Sequence, residues 1–78
     1  DAKKAAYSQT LPHYTKAIEL LKTDADAFQG RAFAYFRLGQ WDNAIKDAGE
    51  VVRLDAKNPN ALFIRADSIY NKKDKALY

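Results

Sequence analysis

A side-chain pattern that recurs at one fixed interval confines this chain to a narrow class of folds. Ala27-Phe28, Arg31-Ala32 and Tyr35 return as Ala61-Leu62, Arg65-Ala66 and Ile69, each pair 34 positions apart. Within each set the positions fall at helical spacing, so one face of a helix is being repeated. A period of this size belongs to stacked helix pairs, none of which buries its apolar face without a neighbour. The fold class expected is all-α: antiparallel helical hairpins in a small right-handed stack, or the same hairpins closed into a compact bundle.

The intervening residues sharpen the reading. Phe28, Arg31-Ala32, Tyr35, Leu38-Gly39, Trp41, Ala44-Ile45, Leu54-Asp55 and Asn58 follow in a fixed order. An aromatic opens a first helix, small residues mark a helix contact, and Leu-Gly precedes a turn. An aromatic, then Ala-Ile, then Leu-Asp follow it. Together these residues resemble a tetratricopeptide repeat, well over residues 24–58 and partially over 12–22 and 59–72. Ala56 stands where the family usually has proline, and Pro59 comes three residues later. The resemblance implies a non-catalytic scaffold for protein–protein or peptide interaction.

Five helices are expected in one domain, at about 2–9, 12–22, 25–38, 41–54 and 59–75. Thr10 is the expected N-cap of the second, with Pro12 in its first turn, where a missing N–H costs nothing. One helix running through Pro12 is the competing reading. Tyr14, Ala17, Ile18 and Leu21 form its apolar stripe. Thr23-x-x-Asp26 resembles a capping box for the third helix, which carries Phe28, Ala32, Tyr35 and Leu38 on one face and ends at Gly39. Ala44, Ile45, Ala48, Val51 and Val52 stripe the fourth. Asn58-Pro59 opens the fifth, whose packed side is expected to be Leu62, Ala66 and Ile69, with Phe63 and Tyr70 beside it.

Three features favour a second origin. Tyr14-x-x-Ala17-Ile18 returns as Trp41-x-x-Ala44-Ile45 at an offset of 27, which reads as a second helix shortened by two turns. Lys72-Lys73-Asp74 replaces the expected Leu-Gly turn, and no methionine is present. The alternative is therefore an engineered or de novo helical protein assembled from repeat-derived segments, with no natural ligand. A natural chain of this kind is expected in the cytoplasm; a recombinant one has no cellular address.

Composition removes several function classes. The 78 residues include 13 basic and 10 acidic side chains, with signs interspersed apart from Lys3-Lys4 and Lys72-Lys73-Lys75. No contiguous basic stripe with aromatics points to nucleic acid, and no apolar run reaches membrane-spanning length. Without cysteine there is no disulfide or thiolate metal site. His13 is the sole histidine, and neither Ser8 nor Ser68 sits in a nucleophile motif. Asp24, Asp26, Asp42 and Asp47 are read as caps and solvated surface. No cofactor and no enzyme activity are expected.

Binding is the remaining possibility. In the family resembled, the first helix of each unit lines a concave groove. The corresponding face is Asp26, Gln29, Gly30, Phe33, Phe36 and Arg37, followed by Asn60, Phe63, Ile64, Asp67, Tyr70 and Asn71. Of these, Gln29, Phe33, Phe36, Arg37, Phe63, Asp67 and Tyr70 are the candidate peptide-binding or dimer face. The partner expected is a protein, a peptide or a second copy of the chain. The family also has a basic clamp for the carboxylates of chaperone C-terminal tails. Its positions here are Gln29, Gly30, Phe33, Asn60 and Ile64, none of them basic, so the sequence argues against such tails.

Overall fold

The computed structural model describes residues 2–76, with side chains described from 3 to 73. Four helices follow one another among the described residues: α1 (Ala2–Leu20), α2 (Ala25–Arg37), α3 (Trp41–Leu54) and α4 (Pro59–Ala76). Helix α2 packs on α1, α3 and α4, and α3 packs on α4. The expected helical hairpins are present, one helix fewer than expected.

The missing boundary lies at Pro12, which sits inside α1. A proline there removes one helical hydrogen bond and crowds the preceding turn, at a cost of about 3 kcal/mol. Contacts on both sides of it hold the helix on α2. Before it, the Tyr7 ring meets Phe33 edge-on at 5.7 Å. After it, Arg31 donates to the Thr15 hydroxyl at 3.2 Å, and Ile18 packs beside Phe28 and Val51. Thr10 is not a cap; its hydroxyl donates back to the Tyr7 carbonyl at 2.7 Å. Leu21 lies beyond the helix and is exposed, so it leaves the expected stripe.

The junctions establish the true register. Leu21 N–H donates to the Ala17 carbonyl and Asp24 N–H to that of Leu21; Asp55 to Val51 and Asn58 to Asp55 repeat both bonds in the next unit. The N-caps repeat too. Asp24 Oδ1 accepts from Ala27 N–H at 3.2 Å, and Asn58 Oδ1 from Ala61 N–H at 3.0 Å. The cap of α2 is thus Asp24 rather than Thr23. Helices α1 and α3 end at Leu20 and Leu54, equivalent positions of the repeat. Helix α1 is therefore not shortened, and the offset between the Tyr14 and Trp41 motifs is a coincidence of small and aromatic residues.

Between α2 and α3 the chain reverses at Gly39, whose φ of 76° only glycine adopts without a Cβ penalty. Gln40 N–H reaches the Tyr35 carbonyl at 2.9 Å and Gly39 N–H that of Phe36 at 3.1 Å, a Schellman closure. The positions equivalent to Leu38-Gly39 in the flanking units hold Lys4-Ala5 and Lys72-Lys73. Neither pair contains glycine, and α1 and α4 run straight through them.

The core is built of small residues at the helix crossings. Ala32, Ala44 and Ala48 are fully buried around Ile64, with Tyr35 and Phe36 against them. Phe28, Val51 and Ala61 form a second cluster. Asp47, read from sequence as solvated, is instead 2% exposed and paired with Arg31. The packed side of α4 also differs from expectation. Ala61, Ile64 and Ser68 are buried, whereas Leu62 and Ile69 are each 39% exposed and Ala66 is exposed. The Leu62 face would need a following helix to cover it, as α3 covers the same face of α2.

Gly30 lies within α2 beneath the Tyr14 ring. Replacing a mid-helix glycine by alanine ordinarily gains up to about 1 kcal/mol. Here a Cβ would overlap Cε1 and Cζ of Tyr14. Gly30→Ala is expected to destabilise by about 1–2 kcal/mol, because the ring must leave its seat. In a Tyr14→Ala background the same change should become stabilising, a sign reversal that urea denaturation of the four variants would read.

Candidate functional site

Helices α2 and α4 leave a groove of about 430 Å³ between them, lined by Gln29, Gly30 and Phe33 on one wall and Asn60, Phe63 and Ile64 on the other. The repeat explains why two like helices face one another. Each first helix of a hairpin packs on the same side of the intervening α3, so corresponding faces end up side by side. Phe33 is 43% exposed and Phe63 60%. Gln29 and Asn60 contribute the polar side chains of the lining, and no charged residue lines it.

The aromatic rings around the groove are ordered by edge-on contacts. Phe36 meets Phe63 at 5.9 Å and Trp41 at 5.7 Å, so it underpins the α4 wall rather than lining the cavity. Tyr7, which the sequence reading left out of the site, supports Phe33 from α1. Nothing in the local sequence marks Tyr7 for this role; it follows from α1 being a single helix.

The remaining candidates lie outside the lining. The Arg37 guanidinium sits 5.7 Å from the Tyr7 ring centroid. Asp67 is half-buried and accepts from Asn71, whose Nδ2 also donates to the Asp67 carbonyl at 2.7 Å. Tyr70 is 68% exposed, and Asp26 is exposed at the start of α2. Ile64 lines the groove with 2% of its surface exposed, so it forms floor rather than handle.

The geometry supports holding an apolar group. An aromatic or branched side chain entering the groove would cover exposed faces of Phe33 and Phe63. It gains roughly 25 cal/mol for each Å² of apolar surface removed from water. The exposed carboxamide of Asn60 can donate to or accept from a peptide backbone. Among the described residues no group of three or more histidines and carboxylates is placed to hold a metal ion. No described helix is long and apolar enough to cross a membrane.

Comparison with known proteins bears on the same stretch. The family model described as tetratricopeptide repeat matches residues 13–46, from within α1, through α2, into α3. That segment is a tetratricopeptide repeat. The Mitochondrial import receptor subunit TOM70 of Rattus norvegicus is 35% identical over 92% of this chain and 13% of its own length. Hsp70-Hsp90 organizing protein 1 of Glycine max is 38% identical over 68% of this chain and 9% of its own. Sperm-associated antigen 1 of Mus musculus is 33% identical over 88% and 7%. The repeat-bearing chain thus spans only 7–13% of the length of these relatives. No solved structure matches.

Proposed function

We propose that this chain is a non-catalytic helical interaction module whose α2/α4 groove holds an apolar or aromatic side chain of a peptide or protein partner. The observation that carries the reading is the pair Phe33 and Phe63. Both are exposed, they stand on opposite walls of one cavity, and no charge lines it. Exposed apolar surface concentrated in a concavity marks contact sites more often than scattered surface residues do.

A second reading is a carboxylate-terminated tail. The similarity to Hsp70-Hsp90 organizing protein 1 favours it. The lining weighs against it, since the groove offers no lysine or arginine to a carboxylate. The engineered alternative finds no support in the comparisons, and α1 standing in the repeat register removes the shortened helix on which it leaned.

Titration with two peptides separates the readings: a C-terminally amidated peptide with a central Phe or Leu, and an acidic peptide with a free C-terminus. The first should bind, and Phe63→Ala should weaken it about tenfold, as expected for loss of an anchoring aromatic. Stability of that variant should fall by less than about 1 kcal/mol because the ring is already largely solvated. Binding of the acidic peptide alone, abolished by blocking its carboxylate, would replace the first reading with the second. Self-association through Phe33 and Phe63 would show as a concentration-dependent mass that Phe63→Ala lowers.

A further inference from the structure

We propose that Tyr7 of α1 sets which side chain the α2/α4 groove accepts, by fixing the Phe33 wall, and that Arg37 holds Tyr7 to that task. The inference rests on the groove reading above and adds two positioning residues to it. Neither of them lines the cavity. Both act through Phe33, which is 43% exposed, so a contact on one side decides how far its ring can retreat. Helix α1 packs along α2 and makes no comparable contact with α4. Tyr7 therefore reaches Phe33 from the side away from the α4 wall.

The contacts are directional. The Tyr7 and Phe33 rings meet edge-on at 5.7 Å, with 74° between their planes. The Arg37 guanidinium carbon lies 5.7 Å from the Tyr7 ring centroid. Phe33 and Arg37 are four residues apart on α2, so they share a helix face and together seat the one ring. Of residues 3–9, Tyr7 alone is not exposed. Edge-on aromatic and cation–π contacts have preferred geometries, so they fix how a ring is turned as well as where it lies.

This brace is not a general demand of the stacked repeat. One unit later, Trp41 stands in the place of Tyr7, while Asp67 and Asn71 replace Phe33 and Arg37. There Asn71 Nδ2 donates to the Asp67 carboxylate at 3.3 Å, and Trp41 meets Phe36 instead. The brace occurs where the groove has an aromatic wall on α2. The opposite wall has its own support, since Phe36 meets Phe63 edge-on. With both rings held, the width of the groove is set before a ligand enters, which is the condition for discriminating anchors by size. Without Tyr7, the Phe33 ring can swing into the vacated space, and the wider groove favours the bulkiest anchor.

The test uses three C-terminally amidated peptides that differ only in one central residue, Leu, Phe or Trp, titrated by calorimetry into the 78-residue chain and its variants. Tyr7→Ala is expected to raise the affinity ratio of the Trp peptide to the Leu peptide about fivefold over wild type. Tyr7→Phe keeps the ring and should leave the ratio as it is. Arg37→Gln should move it in the direction of Tyr7→Ala by about twofold, as expected for loss of one exposed cation–π contact. In the chain without peptide, the Phe33 side-chain NMR signals should report one rotamer in wild type and Tyr7→Phe, and averaging in Tyr7→Ala. A residue that merely held α1 on α2 would lower stability and all three affinities together. An unchanged ratio with binding intact, or an unchanged Phe33 rotamer in Tyr7→Ala, overturns this proposal alone. Failure of wild type to bind any of the three peptides removes the groove reading and this one with it.

Discussion

Replacing Arg31 with methionine is expected to destabilise the chain by about 3–5 kcal/mol, the range for removing one partner of a buried ion pair. Asp47 is 2% exposed, and both its oxygens accept from Arg31. Without the guanidinium a carboxylate stays inside the α2/α3 contact with no counter-charge. Water cannot reach it unless the helices part. The same side chain donates to Thr15 on α1, and its guanidinium carbon lies 5.8 Å and 5.9 Å from the Phe28 and Tyr35 ring centroids. One residue therefore joins three helices. The hydrogen bond to Asp47 raises the Arg31 pKa above the ordinary arginine value. A raised pKa means that the stability due to its charge is fully present below the unfolded-state value and lost only as pH climbs past the folded one. The Arg31→Met deficit should accordingly stay constant on the alkaline side of neutrality up to strongly basic pH. Adding Asp47→Leu should recover most of the loss, since the unpaired charge goes with it. Urea denaturation of the two single variants and the double variant gives the coupling. By contrast, Glu50–Arg53 and Asp42–Lys72 are well exposed, and breaking either should cost less than about 1 kcal/mol. A loss for Arg31→Met as small as theirs would contradict the burial of Asp47.

What was legible in the sequence follows from where the physics is local. The Gly39 reversal, the Asn58-Pro59 start and the alanine contact between Ala32 and Ala44 depend on residues within one hairpin, and each is present. Pro12 shows the opposite case. Its local preference argues for a helix start, yet contacts from Tyr7 on one side and Thr15 and Ile18 on the other, all to α2 or its neighbours, outweigh it. Asp47 was misread because burial of a charge depends on a partner 16 residues away, and Arg31 was visible only as a family position. The groove walls were readable from the helix face, since Gln29, Gly30, Phe33, Asn60, Phe63 and Ile64 share one repeat position set. Tyr7 was not, because its place depends on how far α1 extends. The side that α4 buries was misassigned for the same reason: the repeat supplies the pattern, but only a covering helix makes a pattern into core.

That distinction has a direct consequence for the pair Phe28 and Leu62. They are the same position of successive repeats, yet Phe28→Ala is expected to cost about 3–5 kcal/mol and Leu62→Ala only about 1 kcal/mol. Phe28 is 8% exposed and packs with Val51 and Ala61, while Ile18, Val52 and Leu54 close round them. Truncation there leaves a hole among Val51, Ala61 and Ile18, and the part of it that the surroundings do not fill adds to the transfer loss. Leu62 is 39% exposed, and solvent fills the space its side chain vacates. Comparable losses for the two alanine variants in the free chain would mean that the Leu62 face is already covered, by a second copy or by the chain itself.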